Sequence, residues 1–242
     1  MYKRTRYNND IIMVKKIQWD SDFFQLSIGR LDVCNIDDWK KKGGAKEDLI
    51  NDYDLVYVFA EQEIDDTNIS LVDIKTIYTK SITGDFTDSS LSVEIYNDSI
   101  PNEDLYQLAL ASGVYSRFRL DKHFPPQSYD RLYECWMQQS TNGKMADKVF
   151  VHRCMGKIDG MITLKVDGNV AHIGLVAVDT MTRGKGIGSQ LIQAAELYLL
   201  ENTDVRILNV ATQWENTSAR RLYEKNGFSI ESRTHIYHWW LK

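Results

Sequence analysis

Apolar positions between residues 54 and 97 fall in short runs with partial alternation. The segments "DLVYVFA" (54–60), "NISLVDIKTIYTK" (68–80) and "SLSVEIYN" (90–97) are rich in β-branched and aromatic residues, which predicts strands. The charge run in "DDWKKKGGAKEDLIND" predicts a solvated helix or loop, and "SITGDFTDSS" (81–90) a turn-rich connection. Past a boundary at 98–103, marked by Pro101, the period lengthens. "NEDLYQLALASGVY" and "QSYDRLYECWMQQST" predict helices, the first with acidic residues near its start and the second with Ser128 as a candidate N-cap. Strands are predicted at 147–154, 156–167 and 169–179, with Asp159-Gly160 and Asp167-Gly168 as turn signals of a hairpin or meander. A glycine-rich loop, a helix over 186–201, a strand over 205–213, a helix over 216–226 and a last strand "FSIESRTHIYHWWL" complete the order. In the helix after the loop, Ile187, Leu191, Ala195 and Tyr198 form one stripe flanked by Ile192 and Leu199, which marks a core-facing surface.

Composition narrows the possibilities. A chain of 242 residues allows one large domain or two modest ones, and 43% hydrophobic with 26% charged residues predicts a packed core. The formal net charge of −5 argues against general nucleic-acid or membrane-surface binding, so an anionic ligand would need a local basic pocket. Cys34, Cys135 and Cys154 are widely spaced and form no C-x-x-C pair, which predicts a reduced, cytoplasmic setting. The stretch "IIMV" is too short for a signal core, and no run approaches the length of a membrane helix. No Cys/His cluster has metal-ligand spacing and no Ser/His/Asp pattern stands out, so neither a metal nor a covalent acyl-enzyme is expected.

Candidate chemistry centres on "VAVDTMTRGKGIGSQL" (176–191), where a strand meets three glycines and two basic residues before a helix. The spacing fits neither G-x-x-x-x-G-K-[ST] nor G-x-G-x-x-G. It still suits a diphosphate. Backbone N–H groups of residues 184–189 fall in the first turn, the helix dipole adds partial positive charge, and Arg183 and Lys185 add full charges. Glycines at 184, 186 and 188 remove the Cβ atoms that would obstruct those donors.

Two phrases carry a resemblance. Arg183-Gly184-Lys185-Gly186-Ile187-Gly188 resembles the [RQ]-x-x-G-x-[GA] loop of the GNAT superfamily of N-acetyltransferases. "ENTSARRLYEKNGF", with Asn216, Ala219, Tyr223, Gly227 and Phe228 in register, resembles that family's second signature. "WDSDFFQLSIGRL" near the N-terminus, "SGVYSRFRLD" (112–121) and "VATQWENTSARRLYE" (210–224) resemble the dTDP-amino-sugar acetyltransferases, the dTDP-fucosamine enzymes among them. The resemblance implies an α/β (α+β) GNAT fold, a mixed central sheet flanked by helices. It implies a smaller, partial GNAT-like unit over 1–100 and an acyl-CoA-binding catalytic domain over 101–242. It also implies that the loop cradles the pyrophosphate of acyl-CoA, most simply acetyl-CoA, and that the acceptor is a dTDP-linked amino sugar. A homodimer built on the C-terminal strands belongs to the same implication.

The implied reaction is direct attack of a sugar amine on a thioester, which requires alignment, loss of a proton from nitrogen and charge control on the leaving thiolate. By resemblance, Tyr223 is the general acid for the thiolate. The backbone of Val176, Ala177 and Val178 holds the pantetheine arm where this strand splays from its neighbour, and Gly184 to Ser189 with Asn216 bind the coenzyme. Asn216 also has the chemistry of a helix N-cap, with Thr217 and Ser218 as competitors. The general base stays open between His172, whose ordinary pKa suits the task, Asp73 in "SLVDIK", and a water chain. For the acceptor, Arg117 and Arg119 supply planar donors for a diphosphate, while Trp214 and Phe23, or Trp19, offer stacking surfaces. A longer acyl donor such as 3-hydroxybutyryl-CoA, an acceptor such as a protein N-terminus or small amine, and a non-enzymatic CoA-sensing module are the competing readings.

Overall fold

The computed structural model describes residues 2–7, 10–43, 49–84 and 92–242. Residues 44–48 of the charged run, 85–90 of the expected turn-rich connection and the start of the expected strand at 90–97 lie outside them. In chain order the elements are β1 Tyr2–Tyr7, β2 Asp10–Lys16, α1 Gln18–Phe24, β3 Ile28–Val33, α2 Ile36–Gly43, β4 Leu55–Ala60, β5 Ser70–Ser81 and β6 Val93–Ile95. Then follow α3 Glu103–Ser112, the short α4 Arg117–Leu120, α5 Ser128–Thr141, β7 Lys148–Cys154, β8 Lys157–Asp167 and β9 Val170–Val178. The chain continues with α6 Ile187–Asn202, β10 Ile207–Gln213, α7 Thr217–Lys225 and β11 Ser229–Trp240. Among the described residues no helix is long and apolar enough to cross a membrane.

Two compact units divide these elements. The first comprises residues 1–76, 120–125 and 233–242; the second comprises 77–119 and 126–232. The division therefore falls elsewhere than the boundary expected at 98–103. Strand pairing explains part of the difference: His235–Trp240 of β11 runs antiparallel to Leu55–Ala60 of β4, which assigns the chain's end to the first unit.

The first unit is a mixed α/β layer. Its β1, β2 and β3 pair antiparallel in sequence, and β3 runs parallel to β4. The N-terminal pair was not expected from the sequence, where basic and polar residues break up the short apolar run "IIMV". Leu31, Val56, Val58, Trp39, Tyr237 and Trp239 share one buried cluster. Within this unit Asp121 accepts hydrogen bonds from His238 Nδ1 (2.5 Å), Trp240 Nε1 (2.9 Å), and the His123 ring and backbone N–H. Burial alone would raise this carboxyl's pKa, but those donors outweigh it and hold it far below the carboxylate range. His238 and Trp239, together with Tyr237, are accordingly interior residues of this unit.

The second unit positions the site. Its sheet runs β6-β7-β8-β9 antiparallel, with β10 parallel to β9. Helices cover both faces. Alternate residues of β7 make this plain: Val149 and Val151 pack with Leu105, Leu108 and Met137 of α3 and α5, whereas Phe150 packs with Leu191 and Ala195 of α6. With both faces covered, Ile158 through Leu164 of β8 are buried without a break.

This explains one departure from the expected turns. Asp159-Gly160 lies inside β8 rather than at a turn, because Asp159 pairs with His152 Nδ1 (2.5 Å) and any side chain at 160 would strike Ile187 and Leu191. The β7–β8 reversal uses Met155 and Gly156 instead, both at positive φ (51° and 81°). Ser128 is the first residue of α5 rather than its cap; Gln127, left-handed at φ 63°, stands at the cap.

Candidate active site

The glycine loop and the two helices beside it enclose a cleft of about 370 Å³ in the second unit. Its shape begins in β9. Opposite β8, residues 162 and 164 face Val176 and Ile173, so β9 carries one extra residue, a bulge at Gly174–Leu175. Thr163 fixes the bulge by accepting a hydrogen bond from Leu175 N–H on Oγ1 (2.8 Å). That oxygen would lie only 2.7 Å from a Cβ at 174, closer than contact allows, which favours glycine there. Up to the bulge β9 pairs with β10, from Val170–Ile173 to Ile207–Val210. Beyond it, no described residue of β9 pairs with β10, although β9 keeps its bonds to β8 as far as Val178. Alternate residues of a strand point their N–H and C=O groups to opposite edges, so around Val176 the edge away from β8 carries backbone groups with no β10 partner.

Asp179 turns the chain out of β9. Its carboxylate accepts from Met181 N–H (2.9 Å) and Lys157 Nζ (3.0 Å), while its own N–H donates to the Asp159 carbonyl (2.8 Å). Arg183 folds back so that Nε donates to the Val178 carbonyl (3.0 Å). Gly184 and Gly186 adopt φ of 79° and 85°, where a side chain is strained, and the space a Cβ would take is open. Gly186 caps α6: its carbonyl accepts from Ser189 N–H (3.0 Å) and Gln190 N–H (3.1 Å), while the N–H groups of Ile187 and Gly188, at the very start of the helix, have no carbonyl one turn back. Gly188 serves a different end: it lets Leu222 of α7 approach to about the limit of contact. Asn226 Nδ2 then donates to Ser189 Oγ (3.1 Å) and ties the two helices.

On α7, Asn216 is the N-cap, with its side chain accepting from Ala219 N–H (3.1 Å). Tyr223 is buried between Tyr78 and Phe228, with both ring centroids 5.8 Å away, and it also lines the cleft. Burial pushes its phenol above the ordinary value near 10. Tyr78, beside it, donates to Glu224 Oε1 (2.9 Å).

One cleft thus gathers Val176, Ala177, Val178, Arg183, Gly184, Gly186, Ile187, Gly188, Ser189, Asn216 and Tyr223, all expected from the sequence. Lys185 is exposed and does not line it. The cleft adds residues that sequence reasoning missed: Ala111, Ser112, Val114 and Tyr115 at the end of α3, and Lys225 on α7. The phrase "SGVY" pointed at the first group only through resemblance; nothing local marked Lys225.

The remaining candidates are dispersed. His172 is exposed on the paired half of β9, before the bulge, and is not among the cleft residues. Trp214 follows β10, and the Arg220 guanidinium covers one face of its ring 3.3 Å from the centroid. Arg117 lies over Phe118 (4.6 Å) and Arg119 over Tyr129 (5.5 Å). Asp73 on β5 and Phe23 on α1 belong to the first unit, where Phe23 stacks on the half-exposed Trp19 at 5.0 Å. Among the described residues no group of three or more His, Cys, Asp or Glu is arranged to hold a metal.

Comparison with known proteins assigns a family to the segment that contains this cleft. Residues 103–228 match the acetyltransferase (GNAT) family, and the chain belongs to it, a class of CoA-dependent acyltransferases. The chain is 34% identical over 137 residues to dTDP-fucosamine acetyltransferase of Escherichia coli O6:H1, covering 53% of this chain and 54% of that protein. It is 28% identical over 138 residues to the spore coat polysaccharide biosynthesis protein SpsD of Bacillus subtilis, covering 57% and 47%. The chain therefore spans about half the length of these curated relatives. Among solved structures, a functionally unknown conserved protein from Staphylococcus epidermidis superposes with a TM-score of 0.61 at 11% identity, over 99% of this chain and 94% of that one. A tandem GNAT protein from the clavulanic acid biosynthesis pathway gives 0.56 at 13%, over 98% and 81%. At such identities the likeness is one of fold.

Proposed function

We propose that the protein transfers an acyl group, acetyl in the simplest case, from acyl-CoA to the amine of a dTDP-linked amino-dideoxy sugar by direct attack, for surface polysaccharide synthesis. The observation that carries this is the single cleft in which the positive-φ glycines, the unpaired edge of β9 and the Tyr223 side chain meet. The residues fit the coenzyme: the glycine cradle is open, with Arg183 and Lys225 on its walls. Acyl-CoA, when bound, supplies the activated thioester. The N–H groups of Ile187 and Gly188 at the start of α6, with Arg183, Asn216 and Lys225, would hold its polar end, and the edge of β9 around Val176 its arm.

Tyr223 gives its proton to the departing thiolate. Because burial raises its pKa, it keeps that proton at neutral pH and beyond. Neither side chain expected as proton acceptor for the amine, His172 or Asp73, lines the cleft, which leaves the water chain as the route by which the amine loses its proton. The acceptor class is supported by the relatives, one a dTDP-fucosamine acetyltransferase and one a polysaccharide biosynthesis protein. A cytoplasmic homodimer belongs to the same proposal.

A thiol-release assay tests it. Acetyl-CoA and 3-hydroxybutyryl-CoA are crossed with dTDP-3-amino and dTDP-4-amino sugars, a peptide N-terminus and simple amines. Release with one sugar nucleotide is expected, and it fixes donor and regiochemistry together. Release only with peptide or simple amines would overturn the acceptor class while leaving the donor site standing.

A further inference from the structure

A second hollow, of about 340 Å³, opens beside the cleft, and Ala111 and Val114 line both. That volume falls at the lower end of the roughly 300–1,000 Å³ of small-molecule sites. Leu110, Ala111 and Val114 give it an apolar floor, with Gln107, Arg119, Tyr129 and Asp130 around it. The polar groups come in an ordered set. The Tyr129 hydroxyl donates to the Leu110 carbonyl and its ring leans on Tyr133 at 4.8 Å, which fixes the ring. Arg119 lies over that ring at 5.5 Å and is itself exposed, with a guanidinium fork that suits phosphate oxygens. Gln107 spends its amide N–H on Glu103 Oε1 (2.7 Å), leaving its carbonyl oxygen as an acceptor, and Asp130 is an acceptor as a carboxylate. Arg117, held over Phe118, lines neither hollow nor cleft.

One cation and one carboxylate in the same hollow orient a ligand that is anionic at one end and donates hydrogen bonds at the other. We propose that this hollow takes the nucleoside diphosphate half of the acceptor, an inference that rests on the sugar-nucleotide reading above. Arg119 pairs with the diphosphate. Asp130 and Gln107 accept from the base imide N–H and the sugar hydroxyl, and Tyr129 with Val114 packs on the flat or apolar surface between. Bound there, the amino sugar reaches the cleft across Ala111 and Val114. The structure thereby separates the two arginines expected from sequence and assigns the diphosphate to Arg119.

Calorimetric titration of dTDP, thymidine and CoA against the parent protein and Arg119→Ala tests this without turnover. The parent is expected to bind dTDP more tightly than thymidine. Arg119→Ala should weaken dTDP by about tenfold or more, the worth of a charge-assisted contact, and leave thymidine and CoA unchanged. Unchanged CoA affinity also reports that the variant is folded. Parental dTDP affinity in Arg119→Ala would overturn the hollow and leave the sugar-nucleotide reading intact. A parent that binds CoA but not dTDP would overturn that reading, and the hollow with it.

Discussion

The donor cleft and the neighbouring hollow share two residues and are built on opposite principles. The cleft is made of backbone: a bulge at Gly174, left-handed glycines at 184 and 186, and an unpaired strand edge. Its donors are peptide N–H groups fixed by the fold, and side chains enter chiefly as Arg183, Asn216 and Tyr223. The hollow is made of side chains from three helices, held by a hydroxyl-to-carbonyl bond and a cation over a ring. A backbone site suits a ligand part that never varies, the pyrophosphate and arm of a coenzyme. A side-chain site can be altered by single substitutions without disturbing the sheet, which suits the partner that distinguishes one transferase from another.

Breaking each region should therefore have different consequences. The largest effect is expected inside the cleft. Tyr223→Phe removes the only proposed acid and should lower kcat about 10²-fold or more with little change in CoA affinity. Because burial raises the phenol's pKa, the parent's kcat should not fall through loss of this proton as pH rises from 7 to 9 in a stopped-assay profile. Next comes Gly186→Ala. A left-handed alanine costs about 1–2 kcal/mol, and the displaced first-turn donors should weaken CoA by about tenfold in a titration.

Next to the hollow, behind Tyr129, Gly113→Ala drives a methyl group into the Tyr133 ring. Overpacking of this kind costs about 1–3 kcal/mol in a denaturant melt; dTDP affinity should drop several-fold as the support of Tyr129 shifts. The smallest effect is alkaline. Tyr129 is pushed up to about 12, chiefly by burial. A raised pKa gives stability that is complete below the unfolded value near 10 and is lost as pH climbs from there toward the folded value. Melting temperature should thus be flat from pH 7 to 9 and fall above 10, less steeply in Tyr129→Phe.

The same contrast explains what the sequence revealed. Residues 183–188 and 216–228 were legible because left-handed backbone, close helix approach and a cap each demand a particular residue type, and glycines or Asn216 advertise that demand. Gly174 was not legible: the bulge depends on Thr163, eleven residues away on the next strand. Asp159-Gly160 misled for a related reason. Asp-Gly signals a turn from local chemistry, but here Gly160 exists to admit Ile187 and Leu191, and Asp159 to meet His152. Arg119 and Arg117 read alike in "SRFR", and only their placement tells them apart: Arg119 lies over Tyr129 and lines the hollow, whereas Arg117 lies over Phe118 and does not. Lys225 enters the cleft because α7 turns it there, a matter of packing rather than pattern.

The most direct test crosses the two sites: CoA and dTDP titrated against the parent, Gly186→Ala and Arg119→Ala under one set of conditions. The account predicts a double dissociation, with Gly186→Ala weakening CoA but not dTDP, and Arg119→Ala weakening dTDP but not CoA. Equal weakening of both ligands by both variants would contradict it, and would mean that cleft and hollow are not separately built.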